Sequence, residues 1–127
     1  MAGLVWIGAA LIAGCEDEVP PGSGFVTLSV RGPVPLGAVV VELSGATVEA
    51  AEDPSGGWVA LASDGPPTST GPRYRLVVVL REPGSPQIRL RVPDVSGRLP
   101  VATLQQATSG DNAPVPSLGS IEVEIRP

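Results

Sequence analysis

Residues 73–81, RYRLVVVLR, and residues 87–92, QIRLRV, decide the fold. In the first segment Tyr74, Leu76, Val78 and Leu80 fall on one side of an extended chain. Arg73, Arg75, Val77, Val79 and Arg81 fall on the other. In the second, Ile88, Leu90 and Val92 alternate with Gln87, Arg89 and Arg91. A period of two is that of a half-buried strand. The valines on the outer side of the first segment mark it as an interior strand with solvated ends. EPGSP, between the two, turns the chain. If the segments pair as a hairpin through it, Arg73, Arg75, Arg81, Arg89 and Arg91 crowd one sheet face. Such a face suits acidic partners or polyanionic glycans. The competing reading is a solvated face neutralised by Glu122 and Glu124 from an adjacent strand.

The same alternation recurs on either side. FVTLSVR, 25–31, sets Val26, Leu28 and Val30 against Thr27, Ser29 and Arg31. AVVVEL, 38–43, puts Val39, Val41 and Leu43 on one face. SIEVEIR, 120–126, opposes Ile121, Val123 and Ile125 to Ser120, Glu122, Glu124 and Arg126. ATVEAA, 46–51, reads as a weak strand and WVALA, 58–62, as a short one. VATLQQAT, 101–108, fits either a strand or one short helix. Breaks rich in Gly and Pro recur every 8–12 residues, with DGPPTSTGP, 64–72, the longest surface loop. The expected fold is all-β: a small antiparallel β-sandwich, immunoglobulin-like or cohesin-like in architecture, over residues 25–127.

Composition narrows the chemistry. The chain has 127 residues, 16 Gly, 15 Pro, one Cys and no His, and its net charge is -5. Without His there is no Ser-His-Asp triad and no His metal site. All eight basic residues are Arg and none forms a run, which argues against nucleic acid. Asp53, Asp64, Asp111 and Asn112 stand in turns and read as turn residues rather than metal ligands. The sequence implies no cofactor and no metal, and it singles out no catalytic residue. Two carboxylates remain the only basis for an enzyme, one acting on glycans.

The first fourteen residues, MAGLVWIGAALIAG, are apolar on every face and uncharged, and EDEVPPGSG follows Cys15. The run is too short for an ordinary membrane span of about 20 residues and has the profile of a secretory signal. Its end, Leu11-Ile12-Ala13-Gly14-Cys15, resembles the lipobox of bacterial lipoproteins. Ala2 and Gly3 stand where that family carries Lys or Arg. The resemblance implies cleavage after Gly14 and diacylglycerol on the Cys15 thiol. Two or three acyl chains would then hold the protein at a membrane. The expected organisation is a signal peptide at 1–14, a lipidated Cys15 with a tether to residue 24, and the β-sandwich beyond. Glu16, rather than Asp, after Cys15 favours the outer membrane where an envelope has two.

The patterning of residues 25–126 also resembles, loosely, the cohesin-like and carbohydrate-binding sandwiches of bacterial surface proteins. That resemblance implies protein or glycan binding. The functional expectation is a non-enzymatic binding or scaffolding module at the cell envelope; a purely structural role and a small carboxylate-based glycan enzyme are the alternatives. The candidate binding residues are Arg73, Arg75, Arg89, Arg91 and Trp58. Trp58, after Gly56-Gly57, reads first as a core plug and second as a sugar-stacking platform. Loops 31–37, 64–72 and 109–119 are long enough to add a contact surface.

Overall fold

A computed structural model describes residues 22–66, 71–115 and 117–127. The signal-like run, Cys15 and the tether as far as residue 21 lie outside them. Eight strands run in chain order: β1 Gly24–Arg31, β2 Leu36–Ser44, β3 Ala50–Glu52, β4 Trp58–Ser63, β5 Arg73–Gly84, β6 Gln87–Val92, β7 Val101–Ser109 and β8 Glu122–Arg126. They form two four-stranded sheets, β3-β6-β1-β8 (sheet A) and β4-β5-β2-β7 (sheet B). Every ladder is antiparallel. The pairings β1–β8, β2–β7, β3–β6 and β4–β5 nest inside one another, and β1–β6 and β2–β5 join them into sheets. The protein is a small β-sandwich.

Alternation drives this arrangement. Most of the inward sets predicted for five segments form the buried core: Val26, Leu28, Val30, Val39, Val41, Leu43, Leu76, Val78, Ile88, Leu90, Val92 and Ile121 are each at most 8% exposed, while Tyr74, Leu80, Val123 and Ile125 are partly buried against it. Leu36, Val48 and Ala107 complete it. These side chains are aliphatic, so the two sheets approach through branched carbons rather than rings.

The structure corrects the hairpin. β5 pairs with β2 and β4, whereas β6 pairs with β1 and β3 in the opposite sheet. EPG is not the turn but the tail of β5, where the ladder slips from Ala38↔Val79 to Leu36↔Gly84. Pro83 and Pro86 have no N–H to give a ladder, and the chain crosses to the other sheet there. The open reading of 101–108 resolves as strand β7. Its inward residues are Ala102, Leu104 and Ala107, spaced by two and then three. The register shifts between Val40↔Gln106 and Val41↔Leu104, so Gln105 is the extra residue of a bulge. That bulge broke the period of two. Of 46–51, only Ala50 and Ala51 enter a strand, although Val48 is buried.

The connections fall at two poles. At one lie residues 32–35, 53–57, 85–86, 110–115 and 117–119, where the Gly110 N–H donates to Pro35 O at 3.0 Å. At the other lie 45–49, 64–66, 71–72 and 93–100, together with the start of β1 and the end of β8. Asp94 fastens this entry pole. Its Oδ1 accepts from Ser96 Oγ at 2.8 Å, from the Ser96 N–H at 3.0 Å and from the Gly22 N–H at 3.3 Å. The Val95 N–H donates to Gly22 O at 3.0 Å. These bonds, led by the Ser96 hydroxyl, hold the Asp94 carboxyl below its ordinary value of 3.8.

Two outcomes follow. Leu76 is fully buried, so Leu76→Ala should cost about 2–5 kcal/mol in denaturant unfolding. Because the carboxylate form of Asp94 is favoured in the fold, its contribution is intact above the ordinary Asp value and lost as pH falls through the lowered one. The stability gap between the native chain and Asp94→Ala should therefore narrow as pH falls below the ordinary Asp value; a gap independent of pH would contradict the clip.

Candidate functional site

The two outer faces differ in kind. On sheet A, β6 lies between β3 and β1, in rows that align Arg89 with Glu52 and Thr27, and Arg91 with Ala50 and Phe25. Arg89 Nη1 meets Glu52 Oε1 at 3.2 Å, and Arg91 Nε meets Glu49 Oε1 at 3.9 Å. The Arg89 guanidinium also sits 4.1 Å above the Phe25 ring centroid. At the far edge Arg31 pairs with Glu122 at 3.6 Å and Arg126 with Glu124 at 3.6 Å. Neutralisation thus occurs, but the partners of Arg89 and Arg91 are Glu52 and Glu49 rather than Glu122 and Glu124.

The five candidate residues do not form one face. Arg73, Arg75 and Trp58 belong to sheet B and Arg89 and Arg91 to sheet A, on opposite sides of the core. The arginine stripe depended on the hairpin, and it divides with it. The three loops divide as well. Residues 31–37 and the described part of 109–119 share the far pole, while the described part of 64–72 lies at the entry pole.

Sheet B carries a surface of another character. Register gives its outer rows across β4, β5, β2 and β7 as Trp58–Val79–Ala38–Thr108, then Ala60–Val77–Val40–Gln106, then Ala62–Arg75–Glu42–Thr103. Trp58 is 60% exposed and Val79 44% exposed. Val40, Val77 and Ala60 are partly buried. The core-plug reading of Trp58 is corrected: its place in β4, opposite Val79, is on the outer side, and the inner positions of that strand go to Val59 and Leu61. Gly57 puts the Trp58 backbone there, since a Cβ on Gly57 would come within 2.8 Å of Val79 O. The neighbouring Asp53 carboxylate accepts from the Ser55 N–H at 2.9 Å and the Gly57 N–H at 3.2 Å, which is the turn role expected of it.

Beside this apolar strip is a shallow depression of about 260 Å³ lined by Val40, Arg75, Val77, Gln105 and Gln106. The β7 bulge supplies two consecutive carboxamides to it, and Gln105 Nε2 donates to Glu42 Oε2 at 3.2 Å. Sequence reasoning missed Gln105, Gln106 and Glu42, because only the bulge brings both glutamines to one depression. The signal available was the doubled Gln in a segment with broken alternation. No group of three or more metal-ligating side chains occurs among the described residues, and no described helix is long and apolar enough to cross a membrane.

Comparison with protein-family models, with curated proteins and with solved structures gives no match. The functional argument therefore rests on these faces. Their geometry fits non-covalent recognition: a flat apolar strip bordered by the β5 arginines Arg73, Arg75 and Arg81, by Glu42 and by two amides. Trp58→Ala tests the placement. It should change unfolding stability by no more than about 0.5 kcal/mol, as for a surface side chain. A loss of about 3 kcal/mol or more would mean that the ring is a core element.

Proposed function

We propose that this chain is a non-enzymatic binding or scaffolding module held at a bacterial cell envelope by lipid on Cys15. It works through the outer face of sheet B. The observation that carries the binding role is the contrast between the two outer faces. Sheet A covers itself with internal ion pairs and a cation–π stack on Phe25, while sheet B leaves Trp58 and Val79 exposed, with Val77 and Val40 partly buried beside them. Exposed contiguous apolar surface of this kind marks interaction sites. The anchoring role rests on the run ending in Leu11–Cys15, and the entry of the chain at one pole agrees with it. A chain tethered there carries the far-pole loops, and Trp58 close to them, away from its attachment.

The far pole contributes a second surface. Pro33, Val34, Pro114 and Val115 line an apolar recess of about 340 Å³ there. Prolines lower the entropy lost when such a surface is fixed by a partner.

Expression of the full chain in a bacterial host with labelled palmitate tests the anchor: label should appear and should vanish in Cys15→Ser. Capture from envelope extract with the full chain tests the face. Specific capture should fall by about tenfold or more in Val79→Asp, which buries a charge at any contact on that strip. It should persist in Arg89→Glu on the opposite sheet. Capture that responds only to Arg89→Glu would move the binding surface to sheet A.

A further inference from the structure

We infer that the free edge of β4 takes an acidic, extended segment of a partner protein as an added strand of sheet B. This inference names an occupant for sheet B and rests on the binding role proposed above. The register carries it. The Asp64 N–H donates to Arg73 O at 2.9 Å, and the β4–β5 pairs run without a shift from Ser63↔Tyr74 to Trp58↔Val79. Hydrogen-bonded and non-hydrogen-bonded pairs alternate along an antiparallel ladder. Ala62, Ala60 and Trp58 therefore turn their N–H and C=O groups to β5. Val59, Leu61 and Ser63 turn theirs away from it, to the edge. No described residue hydrogen-bonds to those edge groups.

The other three edge strands are guarded. β3 has only three residues. β8 carries Glu122, Glu124 and Arg126 along its length. β7 is bulged at Gln105, and the chain returning after it bonds its end: the Ser109 N–H donates to Ala113 O at 2.8 Å and the Val115 N–H to Ala107 O at 3.0 Å. β4 has six residues with no charge, no proline and no bulge. Shortness, charge and bulges are what keep an edge from pairing with another chain, and β4 lacks the last two and is twice the length of β3. Its inner side is also short of cover. The short β3 stands across the core from it, and Val59 and Leu61 are only partly buried. An added strand with alternating apolar residues covers that side while its backbone extends the ladder.

Charge selects an acidic segment. Arg81 and Arg73 bracket β4 at its two ends. A Cβ on Gly56, before β4, would meet Arg81 Nη1 at 3.5 Å, and one on Gly65, after it, would meet Arg73 Nη2 at 3.6 Å. Both guanidinium groups thus lie against the turns that flank the edge. Neither forms an ion pair among the described residues, and Arg73 Nε is buried without a hydrogen-bond partner. Of the nearby carboxylates, Asp53 is held by the Ser55 and Gly57 N–H groups, and Asp64 pairs with neither arginine. With Arg75, the outward side of β5 holds three cations against Glu42 of β2. A segment with a carboxylate at each end meets both flanking cations while its middle pairs with Val59, Leu61 and Ser63. A polyanionic glycan meets the cations but has no amide ladder to offer the edge.

The probe is a capped peptide of about nine residues that alternates Val and Thr between two terminal Glu residues, long enough at about 3.3 Å per residue to reach from Gly56 to Asp64. Amide hydrogen exchange of the full chain in detergent, read residue by residue by NMR, should slow by about tenfold or more at Val59, Leu61 and Ser63 when the peptide is saturating. The same peptide with Lys at both ends should bind the native chain about tenfold more weakly. In the double variant Arg73→Glu, Arg81→Glu the preference should reverse to the Lys peptide, which a folding defect would not produce. Polygalacturonate, a polyanion without a peptide backbone, should leave the three amides unprotected. No protection by the Glu peptide, equal binding of the two peptides, an unreversed preference in the double variant, or equal protection by polygalacturonate overturns the strand addition. Capture that falls in Val79→Asp, with no amide protected by the peptide, would leave the face reading standing and overturn the edge alone. Protection by the peptide, with capture indifferent to Val79→Asp, would overturn the face reading alone.

Discussion

The rest of the structure depends on one aliphatic layer that both sheets must share. The fully buried set is Leu28, Leu36, Leu43, Leu76, Leu90, Ile88 and five valines, with no aromatic ring among them. A layer built of branched aliphatics requires close and continuous contact, because dispersion falls away over a gap of less than an ångström. Each strand is therefore held to the alternation that turns one face inward, and the outer face is free to vary. That freedom is where sheets A and B diverge. The short strand β3 is too small to bury much, yet its Glu52, with Glu49 before it, supplies the carboxylates that balance Arg89 and Arg91.

The same layer explains why the chain crosses between sheets so often. Only β4 and β5 are consecutive strands within one sheet. Every other connection passes over an end of the sandwich, which gathers loops into two poles and leaves both broad faces clear. Interaction through a face then requires no loop. At the entry pole the Asp94 turn fixes Gly22 to the connection after β6, so the direction in which the chain reaches the sandwich is set by hydrogen bonds.

The two outer faces also illustrate how modest electrostatics divide labour. The ion pairs of sheet A are solvent-exposed, and pairs of that kind contribute little to stability. Their consequence is to leave no uncompensated cation stripe and to surround Phe25 with guanidinium groups. On sheet B, Arg75 and Glu42 are cross-strand neighbours beside an apolar strip, with Arg73 and Arg81 on the same outward side of β5. Charges so placed specify how a partner aligns more than how tightly it binds.

Much of this was legible in the sequence. The alternation in 25–31, 38–43, 73–81, 87–92 and 120–126 determined which residues are core, because a strand buried on one face has no other solution. The excess of Gly and Pro determined that the connections are turns rather than helices. Which strands are neighbours was decided only by the tertiary structure, since alternation records the face of a residue and not its partner. That single ambiguity produced the misplaced arginine stripe: Arg75 and Arg89 have identical local patterns but lie on opposite sides of the molecule. Trp58 and Gln105–Gln106 were hidden for a related reason. The outward turn of Trp58 follows from pairing with Val79, and the paired glutamines follow from a bulge against β2. Both are consequences of register, which long-range hydrogen bonding sets and no local sequence pattern encodes.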